Sequence, residues 1–141
     1  MLHQTKSKLS KVTNQAQVQI KDDPVRDVSY TFRTTKGRNI YTIPDKAVVC
    51  IANTNKLPIN MQELEMYSQE DAKEFTIFYT VWSYEKGYGR TILNELLPLL
   101  QTERFVTLSP KTEMAKRFHL RNGAKLISDN ETSYNFEYFV N

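Results

Sequence analysis

FTIFYTVWSYEKGYGR, residues 75–90, is the stretch on which the fold turns. Phe75 to Ser83 is aromatic and β-branched with apolar side chains on both faces, the pattern of a strand in the middle of a sheet. Tyr84 to Arg90 then brings two glycines, and Thr91 to Gln101 sets Ile92, Leu93, Leu96, Leu97 and Leu100 at helical spacing. A glycine-bearing loop between a strand and a helix N-terminus turns backbone N–H groups towards one point at the positive end of the helix dipole, a geometry that takes phosphate. Each such interaction is worth only about 0.3–1 kcal/mol at an exposed site. A pyrophosphate would therefore need Lys86 and Arg90 as well. From the local sequence, an ordinary tight turn reads as well as a phosphate loop.

On the N-terminal side, Val28, Tyr30 and Phe32 alternate with Ser29, Thr31 and Arg33 in the period of a half-buried strand. A turn is expected at Lys36-Gly37-Arg38-Asn39, with strands over Asn39 to Ile43 and Lys46 to Ala52 on either side of Pro44-Asp45. This half reads as a β-meander. Asn60 is placed to cap a short acidic helix around Gln62 to Met66, whose carboxylates read as a solvated face. Residues 1–27 read as a polar N-terminal arm or tail, with Lys6, Lys8 and Lys11 exposed to solvent or to an acidic partner. Residues 28–141 read as a single domain.

On the C-terminal side, Phe105 to Leu108 is a short strand and Thr112 to Asn122 a helix, with Thr112 as N-cap, Asn122-Gly123 as C-cap, and Met114, Ala115, Phe118 and Leu120 turned inward. A hairpin of Ala124 to Ile127 and Tyr134 to Val140 closes the chain. Ser109 at the strand end and His119 in the helix stand ten residues apart in sequence, close enough to converge on one cleft. A lone helix histidine is ordinarily a surface or satisfied core residue, and a serine before proline ordinarily just ends a strand.

Composition narrows the function classes. The chain has 141 residues, enough for one ordinary core, and its net charge of +3 predicts neither a nucleic-acid footprint nor a membrane surface. No apolar run approaches the roughly 20 residues of a membrane span, and no apolar segment follows the N-terminal lysines as a secretory signal would require. The single cysteine, Cys50, excludes an intrachain disulfide and fits a reducing compartment, so a cytoplasmic location is expected.

The order of elements and the pattern Ala115, Phe118, Gly123 resemble the acyl-CoA N-acyltransferase (GNAT) fold. The resemblance implies an α+β domain built on a central mixed, largely antiparallel twisted sheet of about six or seven strands, with helices on both faces. Tyr79 and Val81 would pair with pantetheine, and Tyr84, Lys86, Gly87, Tyr88, Gly89, Arg90 and Thr91 would hold the CoA pyrophosphate. Within that superfamily, Thr107-Leu108-Ser109-Pro110 and Phe118-His119-Leu120-Arg121-Asn122-Gly123-Ala124 resemble the catalytic region of malonyl-CoA decarboxylases, and the likeness runs from about Val28 to the end. It implies acetyl-CoA or malonyl-CoA as the coenzyme A thioester, with no metal. The shortened region before Val28 leaves room for a second copy to complete the fold as a homodimer.

Decarboxylating a malonyl thioester places negative charge on the thioester oxygen, and the enolate must then be protonated at carbon. His119, with an ordinary pKa of about 6.5, suits either the donor or the acid role, while Ser109 would hold the carboxylate or relay a proton. By resemblance, Thr80 is a supporting hydroxyl and Tyr138 a wall or donor. Acyl transfer to an amine acceptor would use His119 to protonate the departing thiolate, and would gain from a carboxylate base on the long strand. Phe75 to Ser83 contains none.

Overall fold

The computed structural model describes residues 9–25 and 27–140. These form a mixed α/β structure with an eight-stranded, mostly antiparallel sheet and four α-helices. The strands are β1 (Ser10–Lys11), β2 (Arg38–Ile43), β3 (Ala47–Thr54), β4 (Phe75–Ser83), β5 (Arg104–Thr107), β6 (Ser109–Pro110), β7 (Lys125–Asp129) and β8 (Ser133–Tyr138). Their order is β1-β2-β3-β4-β5-β8-β6, with β7 on β8. The helices are α1 (Tyr30–Arg33), α2 (Met61–Tyr67), α3 (Tyr88–Leu96) and α4 (Glu113–Arg121). Two two-residue strands, β1 and β6, carry the count past the six or seven expected.

Alternation along the central strands feeds two cores, one on each face. Val48, Cys50 and Ala52 join Ile77, Tyr79 and Leu64 of α2 on the first face, whereas Val49, Ile51 and Phe78 join Ile92, Leu93 and Leu96 of α3 on the second. At about 25 cal/mol per Å² of apolar surface, this two-sided burial is what keeps β4 in the centre. Pro98 lacks an N–H, and α3 gives way at Leu97–Leu99 to a 3₁₀ turn. Gly37 (φ 82°) makes the turn into β2 where a Cβ would stand 2.4 Å from the Gln69 carbonyl oxygen, so only glycine fits.

The Val28–Phe32 strand expected from alternation is instead α1, a single turn. Ser29 caps it by accepting from the Phe32 amide at 3.0 Å, and the turn carries Arg33 into the interior. The preceding segment packs closely against the sheet: Val12 and Val18 belong to the first core, and Asp23 is fully buried. Lys6 and Lys8 lie outside the described residues. In α4, Thr112 is the N-cap as read, but Met114 and Leu120 point outward and the inward face is Ala115, Phe118 and His119. The imidazole occupies the place that Leu120 was expected to fill.

β5 and β6 keep one register against β8, Phe105 opposite Tyr138 and Ser109 opposite Tyr134, yet the ladder breaks between them. There the Thr107 hydroxyl accepts from the Phe136 amide (3.0 Å), and the Asn135 side-chain amide donates to the Thr107 carbonyl (2.8 Å). Side chains take over the ladder at this point, and the Leu108 amide is free to cross to the Phe78 carbonyl at 2.9 Å.

Candidate active-site cleft

The cleft arises from two irregularities of β4. On its β3 side, Cys50 pairs with Thr80 and Ile51 with Phe78, leaving Tyr79 as an extra residue, a bulge that bends the strand. On its β5 side, parallel pairing runs from Phe75–Arg104 to Phe78–Thr107 and stops. Among the described residues, no strand pairs with Tyr79–Ser83 on that side. A cleft of about 650 Å³ opens at this fork. Tyr79–Ser83 form one wall and Leu108–Pro110 the other, with Thr112, Ala115, Phe118 and His119 of α4 alongside and Pro24 and Val25 from the N-terminal segment.

His119 is 7% exposed and ringed by Phe118, Phe136 and Tyr138, with centroids 5.1, 5.3 and 5.7 Å away. Its Nδ1 lies 2.7 Å from the Tyr138 hydroxyl, and Nε2 has no partner among the described residues. Burial pushes its pKa down from 6.5 to about 4, so the ring is neutral near pH 7. Burial also raises the Tyr138 phenol well above 10, partly offset by hydrogen bonding with the Asn122 side chain.

Ser109 lines the same cleft and is 4% exposed, but its hydroxyl donates to Thr107 Oγ1 at 2.7 Å. The two residues singled out in the sequence thus share a cleft without sharing a hydrogen bond. Thr80 also faces the cleft, and its hydroxyl donates to Asp23 Oδ1 at 2.7 Å. Asp23 accepts from the Val25 amide (2.7 Å) and pairs with Arg33, which in turn donates to the carbonyls of Val28 (3.0 Å) and Val25 (3.3 Å). The Thr80 proton is committed to a buried carboxylate, so towards the cleft this oxygen can only accept.

In the loop before α3, Gly87 is the N-cap at φ 90°, a left-handed position that suits glycine. The amides of Gly89 and Arg90 have no partner among the described residues, while Thr91 turns its hydroxyl back to the Gly87 carbonyl at 3.1 Å. Lys86 and Arg90 are exposed, and Tyr88 is half-buried with Lys46 above its ring. Tyr84 is engaged elsewhere: its amide donates to the Lys46 carbonyl (2.8 Å), and its hydroxyl accepts from Trp82 Nε1 (3.0 Å) and donates to Asp22 (2.8 Å). That leaves no Tyr84 donor for a phosphate. The Tyr79 side chain turns into the first core against Phe32, so only its backbone can serve a ligand. Val81 is half-buried beside it on the cleft wall.

In the sequence Asp23 carries no signal, Arg33 stands as an outward residue of the expected Val28–Phe32 strand, and Thr107 appears only within the Thr107–Pro110 motif; nothing local tells that Asp23 and Arg33 pair or that the Thr107 hydroxyl holds Ser109. Among the described residues, no group of three or more His, Cys, Asp or Glu side chains is placed to hold a metal ion, and no helix is long and apolar enough to cross a membrane.

Compared with known proteins, the chain matches no family model and no curated protein. Among solved structures it is similar to the crystal structure of malonyl-CoA decarboxylase from Cupriavidus metallidurans, with 21% sequence identity and a TM-score of 0.48. The match covers 72% of this chain and 30% of that one, so the chain spans less than a third of that enzyme's length.

Proposed function

We propose that the cleft binds an acyl-CoA and decarboxylates a malonyl thioester, converting malonyl-CoA to acetyl-CoA and CO₂ on a GNAT-type fold. The observation that carries this reading is the character of the lining. Among the described residues that line the cleft, His119 is the only one of His, Asp, Glu, Lys or Arg type, and it is neutral. Removing a proton from an amine calls for a base, and a histidine with a pKa of about 4 is a weak one. Loss of CO₂ calls for no base. It is favoured where a carboxylate leaves water for an apolar wall and a fixed donor meets the growing oxyanion.

In this scheme the bond between the α-carbon and the carboxylate breaks, its electron pair passes into the enolate, CO₂ departs, and the α-carbon then takes a proton. The imidazole N–H of His119 faces the enolate oxygen. Ser109 and Thr80 offer oxygens to the thioester's surroundings, and the backbone edge Tyr79–Ser83 accepts pantetheine. The amides of Gly89 and Arg90, with Lys86, receive the pyrophosphate. Residues 28–141 form the catalytic domain, and residues 9–25 supply part of the cleft wall. We extend the reading to a cytoplasmic protein that works as a homodimer.

The test is incubation with malonyl-CoA and acetyl-CoA, each with and without mixed amines, followed by mass spectrometry. Acetyl-CoA and CO₂ formed from malonyl-CoA are expected. His119→Asn should lower the rate by about 10²–10³, as loss of one oxyanion donor does, while CoA still raises the melting temperature. Wild-type turnover in that variant would sink the proposal, and acetylated amines would redirect it to acyl transfer.

A further inference from the structure

We infer that Tyr138 is a positioning residue whose hydroxyl donates to Nδ1 of His119 and holds the imidazole in its Nε2–H tautomer, with that N–H presented to the cleft. The inference rests on the cleft being the acyl-CoA site only for its consequence, since the tautomer is a property of the empty protein. The 2.7 Å contact admits two polarities. A phenol O–H is a stronger donor than a neutral imidazole N–H, and a pyridine-type nitrogen is a better acceptor than a phenol oxygen, whose lone pair is shared with its ring. The O–H···N arrangement therefore wins between two neutral groups.

The surroundings reinforce that choice. Tyr138 is 5% exposed and held edge-on against Phe78 (centroids 6.2 Å) as well as against His119, so the phenol cannot swing to another acceptor. With Nδ1 an acceptor, the proton of a neutral ring sits on Nε2, the nitrogen without a protein partner. His119 thereby becomes a fixed hydrogen-bond donor at Nε2.

Long-range proton–nitrogen NMR of the ¹⁵N-labelled protein at pH 7, without substrate, reads the tautomer directly, with His119→Asn assigning the signals against His3. Nδ1 should resonate as an unprotonated, hydrogen-bonded nitrogen and Nε2 as a protonated one. In Tyr138→Phe, the Nδ1 signal should move to higher frequency as its donor is lost, and kcat should fall with KM unchanged. A protonated Nδ1 in the wild type overturns the inference even if Tyr138→Phe does not fold, and an unmoved Nδ1 signal in a folded variant overturns it too. A wrong tautomer leaves the acyl-CoA reading intact, whereas an Nε2–H ring in a protein that never consumes malonyl-CoA removes that reading alone.

Discussion

Beneath Thr80, the cleft wall hides a carboxylate and a guanidinium; beneath His119, it hides an imidazole and a phenol. Both pairs are withdrawn from water, and they respond in opposite ways. Asp23 accepts from Thr80, Val25 and Arg33, and Arg33 also donates to two carbonyls and to the Cys50 sulfur, so each member of the pair is bonded several times over. His119 has one partner, and burial makes its charged form too costly to keep. The saturated pair fastens Asp23 and the α1 turn to β4 beside the cleft. The sparsely bonded pair leaves one nitrogen without a partner among the described residues.

The largest effect should come from stranding half of the charged pair. Arg33→Met leaves Asp23 buried without its cation and should cost about 3–5 kcal/mol in urea unfolding. Adding Asp23→Leu should restore part of that. A loss no larger than that of a surface substitution would erase the contrast between the walls.

The neutral wall predicts a pH signature. The folded-state pKa of His119 is lowered, so between pH 6.5 and about 4 the unfolded chain binds the extra proton. Stability from this group is full above pH 6.5 and falls as pH drops towards 4. At ~1.36 kcal/mol per unit the loss is about 3 kcal/mol. Urea midpoints for wild type and His119→Asn across that window isolate the difference; parallel curves would mean that the imidazole is not held neutral by burial.

Thr80→Val sharpens the comparison from the charged side. It removes one hydrogen bond to a carboxylate, for which about 1.5–3 kcal/mol is typical, and the same unfolding assay reads it. The smallest effect belongs to Lys111→Ala. Its pair with Asp129 is open to water, with side chains 36% and 60% exposed, and its melting temperature should match the wild type within error.

Much of the scaffold was legible from side-chain pattern. β4 announced itself because both of its faces are apolar, and Asn60 and Thr112 because short polar side chains ahead of helical runs accept from the third amide along. What escaped had no local pattern. Val28, Tyr30 and Phe32 are half-buried with Ser29 and Thr31 exposed, which mimics a strand; the turn shows itself only at Arg33, buried where a strand would have turned it outward. The Tyr79 bulge follows from how β3 and β4 pair, which neither sequence states alone. His119 and Ser109 were found as reactive types and Tyr138 through the resemblance, but the contact of Tyr138 with Nδ1 follows from the placing of β8 and that of Ser109 with Thr107 from the broken ladder between β5 and β6.

Cys50, the only thiol in the chain, is wholly buried on β3 beside Arg33, with its pKa pushed up to about 12 by burial. A thiol so placed reacts with an alkylating reagent only in the instants when the centre of the sheet comes open. The protein therefore carries its own stopwatch. The rate of mass gain in excess reagent counts those openings, and a ligand that grips the fork between β4 and β5 would slow the count without touching the sulfur.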